Sequence, residues 1–221
     1  MRALACFLFA TFAAAASAAP FAVQVGEARI GMDAPPGFAD TGFTGSPRLQ
    51  ELAESLTSAS NRILLFAISD LDLRKFMVGD PPELRRYMIA VTPKSVERER
   101  VTRTTFDQLV GDVLRALGPA APPEKPAAEY LDAQPPGKPN LLAELRREPE
   151  IVSVLQGTRL PPHGRSDEKP LYLLTTTTFM LLRGKALNLS VYSAYESPAD
   201  LEWIRSITAR WIGELQRLNN R

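Results

Sequence analysis

The 221-residue sequence is poor in the side chains that most often carry chemistry, with one cysteine and one histidine. Cys6 falls within a segment that we expect to be removed, which leaves the mature chain without a thiol. Several Cys or His ligands are needed for a zinc site, so the composition excludes structural zinc. An exported chain without disulfides must be held together by its hydrophobic core.

The sequence also lacks an excess of charge of either sign. It has 26 basic and 25 acidic residues, a formal net charge of +1. The basic pairs Arg85-Arg86 and Arg146-Arg147 have acidic neighbours and no interleaved aromatic residues. This balance does not indicate a nucleic-acid surface or a polybasic membrane ligand, so we predict no nucleic-acid partner.

One long apolar run stands at the N-terminus. Met1-Arg2 gives a short basic start, Ala3–Ala14 is apolar, and Ala16-Ser17-Ala18 fits the small-x-small cleavage pattern. We therefore predict a secretory signal peptide over residues 1–18, although cleavage after Ala19 is the alternative.

The predicted leader implies an exported protein. An uncleaved membrane anchor is disfavoured because the segment is shorter than the ~20 residues of a spanning helix. Lipidation of Cys6 is disfavoured because almost no apolar stretch precedes it. The alanine-rich leader is typical of bacteria, so we expect a periplasmic or secreted protein without an integral membrane segment after cleavage.

Residues 19–221 are predicted to form one α/β domain with a proline-rich excursion at 118–140. Seven of the 19 prolines fall in this stretch, which we expect to be neither regular helix nor central strand. Neither flank has enough strands and helices to close a core by itself. The excursion is therefore predicted to be an insertion within one domain.

Turn residues and apolar runs predict the first elements. Gly26-Glu27 joins Phe21–Val25 to Ala28–Met32 as a hairpin. Ile63–Ile68 and Tyr87–Val91 are continuous apolar runs, which are typical of strands covered on both faces. Strands covered on both faces require helices on both sides of the sheet. We therefore predict a three-layer α/β/α sandwich around a mainly antiparallel sheet of about seven strands.

Four further segments are assigned by pattern. Asp70–Pro82 is predicted to be a turn region. Ser95 is predicted to cap a helix whose first turns, Glu97–Arg100, form a solvated charged face. Leu141–Arg147 is predicted to be a short helix, and residues 161–166 an exposed loop.

The stretch from Leu171 to Arg217 is the strongest fold signal. Leu171–Leu182 and Ala186–Ala194 read as two long strands, joined at Arg183-Gly184-Lys185. A capped amphipathic helix follows, and we expect it to pack across the sheet beside the first hairpin. The second strand alternates apolar and polar residues, which predicts a position nearer the edge of the sheet.

This order of elements resembles the Mog1/PsbP-like fold, a three-layer sandwich around an antiparallel sheet. Residues 33–38, Asp-Ala-Pro-Pro-Gly-Phe, look like the Pro-Gly-aromatic end of that family's first hairpin, and residues 182–187 look like its late hairpin turn. The resemblance implies an accessory or binding protein without a shared catalytic site. A fold resemblance does not by itself assign function.

The candidate catalytic and ligand-binding residues have simple structural explanations. His163 sits in a Pro-Gly loop typical of surface, and Asp70 with Asp72 could bind a hard cation but are expected to be turn and capping carboxylates. Thr175–Thr178 could line a groove with hydroxyl groups, although threonine commonly fills strands. Gly184-Lys185 is a hairpin turn rather than a phosphate-binding loop, so we expect no metal or cofactor.

The one functional indication is aromatic. Tyr192, Tyr195 and Trp203 cluster near the last strand–helix junction and are predicted as a possible contact surface, with core packing as the alternative. The sequence thus favours a non-enzymatic, exported accessory or partner-binding protein over an enzyme. The alternatives are a small-ligand or lipid carrier, and a hydrolase that uses a carboxylate pair which the sequence does not identify.

Overall fold

A seven-stranded antiparallel sheet forms the centre of the molecule, for which a computed structural model describes residues 20–162 and 170–220. The strands are β1 Phe21–Val25, β2 Ala28–Met32, β3 Phe38–Asp40, β4 Asn61–Ser69, β5 Arg86–Pro93, β6 Pro139–Glu148, β7 Ile151–Arg159, β8 Tyr172–Leu182 and β9 Lys185–Tyr195. The helices are α1 Pro47–Ser55, α2 Asp70–Met77, α3 Arg103–Leu117, α4 Ala127–Asp132 and α5 Pro198–Asn219, with a 3-10 helix at Thr41–Thr44. The sheet order is β3-β4-β5-β9-β8-β7-β6, and β1-β2 form a separate hairpin.

One face of the sheet is covered by α5 and the hairpin. Trp211 of α5 is 1% exposed and packs in one cluster with Met32 of β2 and Leu189 of β9. A capping box between Ser197 and Asp200 begins the helix. The predicted position of this helix beside the hairpin is therefore confirmed.

The opposite face carries α1, α2 and α3. Leu49 of α1 packs with Phe66 and Ile89 of the sheet. Phe106 of α3 packs in a separate cluster with Val152 and Leu181. Helices thus lie on both faces, which confirms the three-layer α/β/α class with a mainly antiparallel sheet. Within the described ranges, no helix combines the length and apolar character needed to span a membrane.

Strand β4 contains a bulge at Leu64. The register with β5 skips this residue between the pairs made by Ile63 and Leu65. Leu64 and Leu65 therefore both enter the cluster beneath α5, whereas Ile63 and Phe66 face α1. The bulge places two adjacent leucines in one core.

The prediction of a turn region at Asp70–Pro82 is wrong, because its first eight residues form α2. The Ser69 hydroxyl caps the helix by accepting a hydrogen bond from the Asp72 N–H at 3.0 Å. Acidic residues in the first turn and basic residues in the last turn complement the helix dipole. The capping signal is present in the sequence, as Ser69 followed three residues later by Asp72.

The helix predicted to begin at Ser95 starts later. Thr102 caps α3, and its hydroxyl accepts a hydrogen bond from the Thr105 N–H. Glu97–Arg100 is therefore not a helix face. Instead, the backbone carbonyls of Glu97 and Glu99 accept hydrogen bonds from Nζ of Lys185, which is buried in β9 rather than exposed in a turn.

The proline-rich excursion contains a helix that the sequence reading excluded. Helix α4 begins directly after Pro126 and occupies a stretch without proline. Its Leu131 is fully buried and packs over Gly157 of β7. Strands from both flanks of the excursion join the same sheet.

The predicted helix at Leu141–Arg147 is a strand, β6. Its register with β7 shifts twice, between residues 141 and 143 and between residues 144 and 146. Leu142, Ala143 and Leu145 consequently pack against the core beneath α5. Two bulges interrupted the two-residue period of a strand and gave the apolar residues a helix-like spacing.

Strand β9 is central rather than near an edge. It lies between β5 and β8, the fourth of seven strands. Its polar residues Asn188, Ser190 and Tyr192 face the layer of α1, α2 and α3, which explains the alternation that suggested an edge. The β8–β9 turn consists of Arg183 and Gly184, both at positive φ.

Candidate functional site

The three aromatic residues predicted as a contact surface are divided by the sheet. Tyr195 and Trp203 pack against the cluster beneath α5, whereas Tyr192 packs on the opposite face. There its ring stacks on that of Tyr87, with centroids 4.4 Å apart and planes 10° from parallel. Burial raises the pKa of both phenols. These residues do not form one surface, and their contact role stays a prediction.

Trp203 is held in place by a cation as well as by apolar packing. The Arg86 guanidinium lies 4.0 Å from the centroid of the indole ring, and the Phe38 ring is 6.1 Å away. Arg86 also donates a hydrogen bond from Nη2 to the Asp200 carboxylate at 2.8 Å. Despite burial, backbone N–H groups and Arg86 lower the pKa of Asp200. Through these two contacts, Arg86 of β5 stabilises the start of α5 against the sheet.

Tyr195 belongs to a second aromatic group. It pairs in register with Tyr172, and the two rings meet edge to face with centroids 6.1 Å apart. The Tyr172 hydroxyl donates a hydrogen bond to Asp132 Oδ1 at 2.5 Å. Burial and this hydrogen bond raise the pKa of Tyr172 to about 12. The sequence analysis did not identify Tyr172. Pairing β8 with β9 outward from the two-residue turn at Arg183-Gly184 places Tyr172 opposite Tyr195.

The four threonines alternate between the two faces of the sheet. Thr176 Oγ1 is 2.6 Å from Thr208 Oγ1 of α5, and Thr178 Oγ1 is 2.8 Å from Ser153 Oγ. On the other face, Thr177 Oγ1 accepts a hydrogen bond from the Gln156 amide at 3.0 Å. The threonines therefore do not line one groove with their hydroxyl groups.

Of the two candidate cation ligands, Asp70 stands in the first turn of α2 and Asp72 is a capping group. Asp72 is 6% exposed and accepts hydrogen bonds from the Ser69 hydroxyl at 2.8 Å and the Glu83 N–H at 2.9 Å. Within residues 20–162 and 170–220, no group of three or more His, Cys, Asp or Glu residues could hold a metal ion. His163 lies outside the described residues.

An open groove of about 830 Å³ lies at the β3–β4 edge of the sheet. Its walls are β1, the 3-10 helix, α1 and β4. We call it the edge groove. The sequence reading did not identify it, because its walls come from four elements that no single motif connects.

One wall of the edge groove is an uncovered sheet edge. Strand β3 pairs only with Ala67–Ser69 of β4. In the part of the chain that the structure describes, residues 61–65 therefore have β5 on one side and no strand on the other. At the adjacent position, the Thr41 hydroxyl donates a hydrogen bond to the Phe66 carbonyl at 3.0 Å. The first half of β4 is thus an open edge.

The outer edge of β1 lies beside the groove, which is lined by Phe21 of this strand. Val25 pairs with Ala28 across the two-residue turn, so Ala22 and Gln24 direct their N–H and C=O groups away from β2. The Gln24 carbonyl accepts a hydrogen bond from Arg62 at 2.9 Å. The outer edge of β1 therefore meets the groove at Arg62, one of the lining residues of β4.

The side chains of the edge groove are apolar at its rim. Phe43 is 69% exposed, and its ring meets that of Phe21 edge to face with centroids 5.5 Å apart. The two rings form an aromatic pair at the rim of the groove. It offers an apolar surface directly beside the open strand edges.

The charged side chains of the groove are already engaged within the chain. Lys94 Nζ donates a hydrogen bond to the Ala59 carbonyl at 2.7 Å, and Arg62 also pairs with the Glu97 carboxylate. Asp40 Oδ1 accepts a hydrogen bond from the Gly42 N–H at 3.2 Å, while burial raises the pKa of this carboxyl. The groove therefore favours backbone and apolar contacts over recognition of a charged ligand.

A pair of buried carboxyl groups lies elsewhere, between the hairpin and α5. Asp33 Oδ1 and Glu214 Oε2 are both buried without a hydrogen-bond partner among the described residues. Neither residue lines the edge groove. A hydrolase would need a carboxylate pair that faces a cleft. These two residues instead face the packed interface between the hairpin and α5.

Comparison with known proteins gives a likeness in structure and none in sequence. Neither a protein-family model nor a curated protein matches the sequence. Among solved structures, the chain is similar to the Saccharomyces cerevisiae Ran-binding protein Mog1p, with 13% identity and a TM-score of 0.41 over 92% of this chain and 93% of that chain. A variant of Mog1 is similar at 13% identity and a TM-score of 0.40, over 92% and 94% of the two chains. The predicted resemblance to Mog1-like proteins is confirmed at this level, which concerns the fold alone.

Proposed function

We propose that the chain is an exported, non-enzymatic accessory protein that binds a partner protein in the edge groove. One observation carries the proposal: the uncovered edge of β4 lines the groove, and the outer edge of β1 meets it at Arg62. A peptide in extended conformation pairs with such an edge through backbone hydrogen bonds. The occupant is therefore an extended segment of the partner, with an apolar side chain placed against Phe43.

Two parts of the proposal, export and a non-enzymatic role, are supported by the sequence alone. The leader over residues 1–18 supports delivery to the bacterial periplasm or beyond. A mature chain without cysteine and with His163 as its one histidine has few means of nucleophilic or acid–base catalysis. Both statements are independent of the edge groove.

The test uses a substitution that removes one edge donor. Ala22→Pro eliminates the outward N–H of β1 while the hydrogen bonds to β2 remain, and Ala22→Thr is the matched control that keeps the N–H. A photo-crosslinking amino acid replaces Phe43 in the edge groove or, as a positional control, Val78, which is 78% exposed outside it. Crosslinking is carried out in the producing cell, and the crosslinked peptide is sequenced.

The expected result is one recurrent partner segment crosslinked from position 43 and not from position 78. Ala22→Pro should reduce its yield by about tenfold or more, since an edge strand depends on each backbone pair, whereas Ala22→Thr should not. Equal yields for the two Ala22 variants would overturn strand addition. Labelling from both positions would show that the groove is not the contact site.

A small-ligand carrier is the second candidate, favoured by the size of the edge groove. Its volume of about 830 Å³ falls within the roughly 300–1,000 Å³ of small-molecule sites. Native mass spectrometry of the purified mature chain would detect a retained ligand as a discrete mass increment. Repeated absence of such an increment would count against the carrier.

A further inference from the structure

The central strands β8 and β9 are covered unequally on their two faces. On the side of α5, the inward residues of β8 between positions 174 and 180 are buried. The residues that alternate with them on the opposite side, Thr175, Thr177 and Phe179, are half-buried. Asn188 and Tyr192 of β9 are half-buried on that side as well. A layer of helices normally covers such strands, so the layer of α1, α2 and α3 is open over the middle of the sheet.

Two separate apolar clusters flank this opening. Leu49 of α1 packs with residues of β4 and β5, whereas Phe106 of α3 packs with Val152 of β7 and Leu181 of β8. Between the clusters, the same face of the sheet is polar. Its polar residues are Gln156 of β7, Thr175 and Thr177 of β8, and Asn188, Ser190 and Tyr192 of β9. We call these six residues the sheet trough.

The strand register makes the residues of the sheet trough neighbours. Tyr192 is paired with Thr175, and Thr175 is paired with Gln156, in one row across three strands. In the next row, Ser190 is paired with Thr177. The Gln156 amide donates a hydrogen bond to Thr177 Oγ1 at 3.0 Å, which joins the two rows. Since paired residues on one face have Cβ atoms about 4.5–5.5 Å apart, these side chains form a continuous polar floor.

Aromatic rings stand at both ends of the polar floor. At one end the Tyr192 ring stacks on that of Tyr87, and at the other Phe179 is paired with Asn188. Asn188 Oδ1 is buried and has no hydrogen-bond partner among the described residues. None of the six residues of the sheet trough is charged. The floor therefore offers neutral hydrogen-bonding groups between two apolar surfaces.

These groups favour one class of ligand. Serine and threonine hydroxyls and the amides of asparagine and glutamine each donate and accept hydrogen bonds. An anionic ligand would find no charge partner among the trough residues, and an acyl chain would leave their polar groups unpaired, which is costly. A saccharide presents hydroxyl groups that donate and accept, together with C–H surfaces that pack against aromatic rings.

We propose that the sheet trough is a binding site for an uncharged saccharide. The hydroxyl groups of the sugar pair with the polar floor, and its C–H surfaces lie against the rings of Tyr192 and Phe179. The sheet trough shares no residue with the edge groove. The inference is therefore independent of the proposed function.

The test begins with an array of immobilised neutral and acidic oligosaccharides, which is probed with the purified mature chain. The neutral saccharide that binds best is then titrated by isothermal calorimetry. Thr175→Val removes one hydroxyl group and keeps the shape of the side chain, so it should weaken binding by about three- to tenfold, as for one hydrogen bond. Thr104→Val, the same change at an exposed position of α3, should leave the affinity unchanged.

Backbone NMR of the unaltered chain with the same saccharide keeps the proposal testable if Thr175→Val does not fold. The expected shift changes fall at residues 175–179 and 188–192. Changes centred on residues 40–46 and 61–66, which belong to the edge groove, would overturn the assignment. The proposal also fails if no neutral saccharide binds, if acidic saccharides bind more tightly than neutral ones, or if the two valine variants bind equally well.

Discussion

Asn219 takes the place of a neighbouring strand for Gly31. Its Oδ1 accepts a hydrogen bond from the Gly31 N–H at 2.9 Å, and its Nδ2 donates to the Gly31 carbonyl at 2.9 Å. The side chain is 7% exposed and also donates to the Leu215 carbonyl within its own helix. One amide thus joins the end of α5 to the outer edge of β2.

Replacement of Asn219 by alanine is expected to destabilise the fold by about 1–3 kcal/mol, because both Gly31 backbone groups lose their partner in a partly buried seam. Urea denaturation gives the free energy of unfolding. Asn220→Ala is the neighbouring control, since this residue is exposed, and its change should stay within about 0.5 kcal/mol. Equal effects of the two substitutions would contradict the bridging role.

The contact of α4 with β7 predicts coupled effects at Gly157 and Leu131. A Cβ at Gly157 would lie 2.7 Å from Leu131 Cδ1. Gly157→Ala should destabilise by about 1–3 kcal/mol through overpacking, and Leu131→Ala by about 2–5 kcal/mol through a cavity. The double variant should be more stable than the sum of the two losses predicts.

Gly213→Ala is the control for this pair, because an added Cβ would meet no described atom within 4 Å beyond the local helix backbone and the adjoining residues, and the residue is exposed on α5. It should leave stability unchanged or raise it by up to about 1 kcal/mol. Additive losses at Gly157 and Leu131 would show that α4 does not pack on β7.

The hydrogen bond between Tyr172 and Asp132 predicts a loss of stability at alkaline pH. The folded-state pKa of Tyr172, about 12, exceeds its unfolded value of about 10. The stabilisation is therefore fully present below pH ~10 and is lost as the pH rises toward 12. Denaturation midpoints should fall more steeply with pH for the unaltered chain than for Tyr172→Phe, and parallel curves would refute the link.

The predicted leader over residues 1–18 implies a defined mature N-terminus. Expression in a bacterial host with cell fractionation should give a periplasmic or secreted chain that begins at Ala19, as shown by intact mass. Ala18→Lys places a large charged residue where the cleavage pattern needs a small one, so the precursor should accumulate. An uncleaved chain in the membrane fraction would instead support the anchor.

Local signals were sufficient where a structure is determined by neighbouring residues. Gly26-Glu27 gave the bounds of the first hairpin, and Ser197 with Asp200 gave the start of α5. Local reasoning failed at β6, where two bulges changed the apolar period. It failed at β9 because strand position in a sheet depends on distant partners rather than on the alternation within one strand.

The sites could not be derived from the sequence for a related reason. The edge groove exists because β3 ends at Asp40 and leaves the first half of β4 uncovered. Asp33 and Glu214 are far apart in the chain, and each has a carboxyl oxygen that is buried in the folded chain. The spacing of these residues does not signal that burial, although each stands beside a correctly predicted element.

The central position of β9 has a consequence for the order of folding during synthesis. The strands β3, β4 and β5 form one half of the sheet, and β6, β7 and β8 form the other. Until residues 185–195 leave the ribosome, β5 and β8 each have an unpaired edge. A nascent chain that ends at Gly184 should therefore unfold without cooperativity and expose the aggregation-prone edges of β5 and β8. Completion of the sheet therefore waits for the synthesis of β9.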